Sequence, residues 1–212
     1  MPEQNSDKQH EAILTLLDEA MAILREGKTF NPEDPIFGKV SSIEAVADNV
    51  KRAYDYDNNT IPPSDLGMTT EADPLNYSDN RSAVPVVPSH FFLRFYEPVQ
   101  GFTWTEIQKR LDLADYWVYT NGGKQEGKCF PASPPNEWIT ICRYRANERI
   151  GSRFPVDVEL SFLGPRKNGN YDFDSITIDR AYPYLTPEMR KQKREEREQR
   201  ARDLYGNPGT TP

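Results

Sequence analysis

The sequence predicts an α+β protein, in which helices pack on one face of an antiparallel sheet of four to five strands and a charged helix follows. Two observations support this class. The N-terminal quarter repeats apolar residues at helical spacing, whereas residues 89–180 alternate apolar and polar residues with the period of strands. Capping boxes and turn residues separate these segments, as expected for short elements that follow one another along the chain.

The first element is predicted to be a helix over residues 6–27. Ser6 and Gln9 form a capping box, and Gly27 provides a C-terminal stop. Between them, apolar residues recur at the spacing of one helical face: Ile13, Leu14, Leu17, Met21 and Leu24.

A second helix is predicted from Ser41 to about Tyr54, because Ser41 and Glu44 form another capping box and apolar residues continue on one face. The two helices make an N-terminal helical pair over residues 1–56. Residues 57–88 are rich in Asp, Asn, Ser and Pro, so they are predicted to be a loop or linker.

The sheet domain is predicted to span residues 89–183. Thr103 and Glu106 form a third capping box, which predicts a short helix of about ten residues after the first strand. Asn168-Gly169 is typical of a hairpin turn. In the last strand the apolar residues change from odd positions (Tyr171, Phe173) to even positions (Ile176, Ile178), which predicts a bulge near Asp174. Strands are predicted at residues 89–96, 116–120, 137–145, 155–163 and 171–178.

The C-terminal segment, residues 184–212, is predicted to be a charged helix followed by a loose tail. Pro187 suits the first helical turn. The helix that follows has almost no apolar face, which is typical of a helix held by charge pairs or awaiting a partner.

The chain is acidic, with 33 Asp and Glu against 26 Lys and Arg, and a net charge of −7. The acidic excess lies in residues 1–80, which disfavours nucleic acid as a partner because phosphate contacts require a basic surface. An acidic surface favours a basic protein partner, although it also serves solubility. We expect no transmembrane segment, since no apolar stretch approaches about 20 residues.

Arginine and aromatic residues cluster around a predicted hairpin in the sheet domain. Such residues bind phosphate, carboxylate or an acidic protein surface, and an ordinary hairpin rim is the alternative. The candidate binding residues are Trp138, Arg143, Tyr144, Arg145, Arg149 and Arg153.

Cys129 and Cys142 are the two cysteines of the chain, and a bridge between them would close a loop of about 14 residues. A single disulfide suits an exported protein, whereas two unrelated thiols suit a cytosolic one. The localisation is therefore predicted to be periplasmic or envelope-associated if a signal was removed, and cytoplasmic otherwise.

Catalytic and metal sites are not predicted. The two histidines, His10 and His90, stand in separate segments, and no close pairs of Cys or His suggest zinc. A hydrolase that works from Cys129 or from acidic residues remains an alternative. We expect no cofactor.

The segment Gly101-Phe-Thr-Trp-Thr-Glu-Ile-Gln-Lys-Arg-Leu111, followed by an aromatic strand and three alternating strands, resembles envelope modules of the SmpA/OmlA type. The resemblance covers residues 101–180 and is one of topology. It implies helices laid on one face of an antiparallel sheet and a non-enzymatic protein-binding module of the bacterial envelope.

These observations predict a non-catalytic protein-binding module, an immunity-type inhibitor that neutralises a secreted bacterial toxin or effector, with a basic protein as partner. The oligomeric state is not predicted. The alternatives are an envelope assembly or scaffold factor and a hydrolase.

Overall fold

A computed structural model describes residues 3–46, 51–119, 123–127, 129–132, 138–165, 170–181 and 187–205. Three α-helices and ten strands occur in this part of the chain. In sequence order they are α1 Glu3–Leu24, β1 Lys39–Val46, β2 Lys51–Asp57, β3 Ser64–Ala72, β4 Val86–Val99, α2 Trp104–Leu111, β5 Tyr116–Val118, β6 Lys124–Glu126, β7 Cys129–Pro131, β8 Ile139–Arg145, β9 Val156–Leu163, β10 Asp172–Arg180 and α3 Pro187–Tyr205.

Eight of the strands form one antiparallel sheet in the order β1-β2-β3-β4-β10-β9-β8-β7, and β5 pairs with β6 in a small hairpin. The predicted α+β class with an antiparallel sheet is confirmed. The predicted number of four to five strands was wrong, because three strands come from segments expected to be a helix and a linker. Within the described residues no helix has the length and hydrophobicity that crossing a membrane requires.

The predicted second helix is replaced by strands β1 and β2. Its apolar residues are mostly β-branched or aromatic, and such side chains pack well on the pleated surface of a sheet. A short apolar run is also compatible with both the helical and the strand periodicity, so the pattern did not distinguish the two. Ile43 remains 56% exposed, so the supposed apolar stripe is not a buried helical face. The predicted linker is also different, since it contains β3, which pairs with β2 and β4.

Helix α1 is confirmed and begins at Glu3, so Ser6 lies inside the helix and not at its cap. Gly27 has a φ of +73°, in the left-handed region that glycine adopts without strain. Three backbone carbonyls at the end of α1 and just after it receive hydrogen bonds from distant parts of the chain. Arg180 donates to the Ile23 and Leu24 oxygens, and two backbone amides of the β8–β9 connection donate to the Arg25 oxygen.

Helix α2 begins as predicted, because the Thr103 hydroxyl accepts a hydrogen bond from the Glu106 amide at 3.1 Å. The predicted bulge in the last strand is confirmed by a register shift between Phe173 and Ser175. The predicted Asn168-Gly169 turn lies outside the described residues.

The core lies between helices α1 and α2 and one face of the sheet. Helix α1 contacts α2, β4 and β10. In β8, Ile141 is only partly buried, and the neighbouring Cys142 points inward. The largest fully buried side chains include Phe37, Phe91, Phe95, Phe162, Phe173, Ile13, Leu17 and Leu24.

Candidate functional site

The sheet has two unlike faces, which we call the inner and the outer face. Side chains alternate along a strand, so the buried Phe91, Leu93 and Phe95 of β4 face the helices on the inner side. His90, Phe92 and Arg94 therefore point to the outer side. Strand register extends this assignment to the neighbouring strands, since residues directly opposite each other share a face.

The outer face is built from three cross-strand rows. The first row runs across five strands and the next two lie beside it in register. The rows are Thr69, His90, Asp179, Asp157 and Arg145; then Asp55, Gly67, Phe92, Thr177, Glu159 and Arg143; then Asp65, Arg94, Ser175, Ser161 and Ile141.

Two arginine–carboxylate ion pairs and one histidine–carboxylate contact connect residues within these rows. The Arg143 Nε lies 2.5 Å from the Glu159 carboxylate, and Arg145 makes two hydrogen bonds to Asp157. His90 Nδ1 lies 2.6 Å from Asp179 Oδ1.

Most side chains in these pairs remain accessible to solvent. The exposed fractions are 40% for Arg143, 39% for Glu159 and 49% for Asp179. Exposed ion pairs contribute little to stability, so a partner can compete for these groups at small cost to the fold.

Two carboxylates of the outer face stand directly opposite each other, since Asp157 of β9 pairs with Asp179 of β10. Like charges in this position repel. Arg145 and His90 flank the pair on its two sides and partner one carboxylate each. The centre of the outer face is therefore acidic, with the Arg145 guanidinium on one side and the His90 imidazole on the other.

An aromatic wall borders this acidic centre. The Trp117 ring of β5 and the Phe130 ring of β7 lie 5.5 and 5.4 Å from the Arg143 guanidinium carbon, within cation–π range. A groove of about 210 Å³ lies between the β5–β6 hairpin and the sheet. Its lining includes Trp117, Arg143, Asp157, Glu159, Thr177 and Asp179.

Further along, β3 and β4 provide a flat aromatic surface. The Phe92 ring occupies the space that a side chain at Gly67 would need, which explains why glycine stands there. Tyr96 is 67% exposed, and its hydroxyl donates to Asp65 Oδ1 at 2.8 Å. This hydrogen bond and the Asp65 charge raise the pKa of Tyr96 above its ordinary value.

The structure distributes the six predicted binding residues over several places. Arg143 and Arg145 lie on the outer face, while Tyr144 is buried on the inner side at 4% exposure. Trp138 directly precedes β8 and is 54% exposed. The six residues therefore do not form a single site.

The other two predicted arginines leave the sheet with the β8–β9 connection. Arg149 binds Asp112 at 2.6 Å and lies 3.9 Å from Glu26, near the ends of α1 and α2. The hydrogen bonds from Arg149 and Asn147 lower the pKa of Asp112. Arg153 lies beside Gly27 at the end of α1.

Cys129 and Cys142 are joined in a disulfide, as one of the two sequence interpretations predicted. They stand opposite each other in β7 and β8, and Cys142 is completely buried. In this oxidised form neither sulfur is a thiolate, so Cys129 cannot act as the nucleophile of a hydrolase.

The two histidines have separate roles. His10 stacks on Phe102 at 3.9 Å and pairs with Glu106 at 2.8 Å, which ties α1 to α2. His90 belongs to the outer face. In the part of the chain that the structure describes, no group of three or more His, Cys, Asp or Glu residues could hold a metal ion.

Sequence reasoning found only part of the outer face. The outward positions of Asp157 and Glu159 follow from strand alternation, but their pairing with β8 depends on register. Trp117, Phe92 and Tyr96 carried no signal beyond being aromatic residues of strands. No protein-family model matches the chain, and no curated protein or solved structure is significantly similar to it.

Proposed function

We propose that this chain is a non-catalytic protein-binding module of the immunity type, which neutralises a secreted bacterial toxin or effector by docking it on the outer face. The observation that carries the proposal is the outer face itself. It combines the exposed Tyr96 and the partly buried ring of Trp117 with half-exposed arginine–carboxylate pairs, and Trp, Tyr and Arg dominate the binding energy of protein interfaces.

The charge of the outer face favours a basic partner. Its carboxylates, Asp55, Asp65, Asp157, Glu159 and Asp179, outnumber its guanidinium groups, and the whole chain has a net charge of −7. Complementary charge accelerates encounter and orients the partner. A cationic side chain of the partner fits the groove beside Trp117, where three carboxylates and an aromatic ring meet.

The disulfide supports action outside the reducing cytoplasm. Disulfides persist in the periplasm and outside the cell, and a secreted toxin reaches its target through the same compartments. We therefore place the protein in the periplasm or at the envelope.

The test starts with capture of partners from the native organism at two salt concentrations, followed by purification of the partner. We expect one basic protein whose toxicity is lost at equimolar ratio with this chain. Tyr96→Ala should weaken its affinity by about tenfold, in the range of an aromatic interface residue, while Lys8→Ala on α1 should leave affinity unchanged.

The opposite results identify another function. A captured outer-membrane component with no toxicity would point to the envelope assembly alternative. Equal effects of Tyr96→Ala and Lys8→Ala would contradict the outer face as the docking surface.

A further inference from the structure

A second concave site lies away from the outer groove, where α1 ends. It is a cavity of about 450 Å³, within the range of small-molecule sites. Residues from six parts of the chain line it: Gly27, Lys28, Thr29, Phe30, Pro32, Tyr54, Thr70, Val86, Val87, Pro88, Arg153, Phe154 and Arg180.

The charge of this cavity is opposite to that of the protein. Lys28, Arg153 and Arg180 line it, and none of the described lining residues is Asp or Glu. A concave wall that carries only positive charge concentrates anions, because field lines are focused in a cleft of low dielectric. In a chain of net charge −7, this concentration of cations marks the site.

The three cations have different surroundings. Arg180 is buried, donates to the Ile23 and Leu24 carbonyls and lies 3.8 Å from the centre of the Phe154 ring, so it also caps α1. Lys28 pairs with Glu19 at 2.7 Å.

In the described part of the chain Arg153, the third cation, neither caps α1 as Arg180 does nor pairs with a carboxylate as Lys28 does. Among the residues that the structure describes, no carboxylate pairs with its guanidinium. Its backbone amide and that of Phe154 donate to the Arg25 carbonyl, at 2.8 and 3.1 Å, which fixes this stretch against the helix end. The absence of a side chain at Gly27 leaves room for the Arg153 stem, because a Cβ there would lie 2.8 Å from Arg153 Cδ. The backbone is therefore fixed beside the cavity, while the exposed Arg153 guanidinium has no carboxylate partner among the described residues.

Most of the remaining wall is apolar or aromatic, and Thr29 and Thr70 add two hydroxyl groups. Phe30 and Tyr54 meet edge to face with ring centroids 5.4 Å apart, and Val86 and Pro88 of β4 complete the surface. An apolar wall next to cations suits a ligand with an anionic head and an apolar body.

We propose that this cavity binds a small carboxylate whose body is aromatic or branched aliphatic. The carboxylate pairs with Arg153 and Lys28, and the apolar body packs against Phe30 and Tyr54. Arginine binds carboxylates through two parallel hydrogen bonds, which favours this head group. The site is separate from the outer face, so the proposal does not depend on the protein-binding function.

The test is an NMR titration of the intact chain with benzoate, phenylacetate and indole-3-acetate, each against its neutral amide. We expect at least one acid to shift the amide resonances of Lys28, Phe30, Arg153 and Phe154, and to bind about tenfold or more tightly than its amide. The tripeptide Gly-Gly-Phe, with a free carboxylate, distinguishes a chain terminus from a free small molecule as the source. Binding of either the small acids or the tripeptide supports the site, and the tighter of the two identifies the source of the carboxylate.

Two variants and a control make the result specific. Arg153→Gln removes an exposed cation and should weaken binding by about five- to tenfold, as expected for loss of a charge-assisted hydrogen bond. Val86→Glu places a carboxylate at a 51% exposed position of the wall and should abolish binding by repulsion. Arg94→Gln removes an arginine from the outer face and should leave the affinity unchanged.

The proposal is overturned if none of the three acids shifts these resonances at millimolar concentration. It is equally overturned if the amides bind as tightly as the acids, or if Arg153→Gln and Arg94→Gln have the same effect.

Discussion

The inner and outer faces of the same sheet differ in what their side chains do. Phe91 of β4 is completely buried under the helices, whereas His90, one residue away, retains a third of its surface and pairs with a carboxylate. The inner face removes apolar area from water and supplies most of the stability. The exposed ion pairs of the outer face contribute little to stability, so their charges remain accessible to a binding partner.

Truncation of neighbouring phenylalanines tests this division most strongly. Phe91→Ala should destabilise the protein by about 3–5 kcal/mol, because it leaves a cavity in the core. Phe92→Ala on the outer face should cost no more than about 1–2 kcal/mol. Urea unfolding with the disulfide intact measures both, and equal losses would show that the outer face is part of the core.

Removal of the disulfide is expected to have the next largest effect. The double variant Cys129→Ala/Cys142→Ala should lose about 3 kcal/mol in the chain-entropy model, for a bridge between residues 13 apart. Wild type unfolded in the presence of reductant should lose a similar amount. A loss below about 1 kcal/mol would mean that β7 is held in place by other contacts.

A buried hydroxyl is an exception on the well-packed inner side. Tyr56 is 3% exposed, and its Oη has no hydrogen-bond partner in the described part of the protein. Tyr56→Phe should therefore stabilise the protein by about 1 kcal/mol, since an unsatisfied polar group is removed. Thermal and urea unfolding at neutral pH measure the gain, and a loss of stability would reveal a partner for the hydroxyl.

The same residue predicts a pH dependence. Burial raises the pKa of Tyr56 above its ordinary value of 10.0, so the folded state holds the proton more tightly than the unfolded state. This contribution is present below pH 10 and is lost as the pH rises above it. Tyr56→Phe should therefore lose less stability than wild type above pH 10, and parallel pH profiles would contradict the assignment.

The smallest effect is expected for the outer ion pair. A double-mutant cycle of Arg143→Gln and Glu159→Gln should give a coupling of about 0.5 kcal/mol or less, because both side chains are about 40% exposed. The coupling should decrease further in high salt. A coupling above about 1.5 kcal/mol would assign the pair to the fold and not to recognition.

The sequence predicted those elements whose signals are local. The Thr103 cap and the bulge between Phe173 and Ser175 were recognisable because a capping box and a parity change each lie within a few residues. Strand β3 was missed because Gly67, Thr69 and Thr70 give no apolar alternation. Neighbouring strands bury these residues, as the Phe92 ring covers Gly67. Because the covering residues are distant in sequence, the local pattern of β3 could not reveal its burial.

The candidate site was predictable to a similar degree. Arg143 and Arg145 were predicted to be binding residues around a hairpin, and the structure places both on the outer face. Their carboxylate partners depend on register, which short-range patterns do not determine. Arg149 and Arg153 are close in sequence but lie elsewhere, because the chain leaves the sheet after Arg145.

Photo-crosslinking tests the central claim most directly. A photoreactive phenylalanine analogue is placed at Arg94 on the outer face or at Lys8 on α1, both exposed positions, in the native organism. Our account predicts that position 94 crosslinks to one basic protein and that position 8 does not. Crosslinking of the same protein from position 8 but not from position 94 would contradict the assignment of the outer face as the recognition surface.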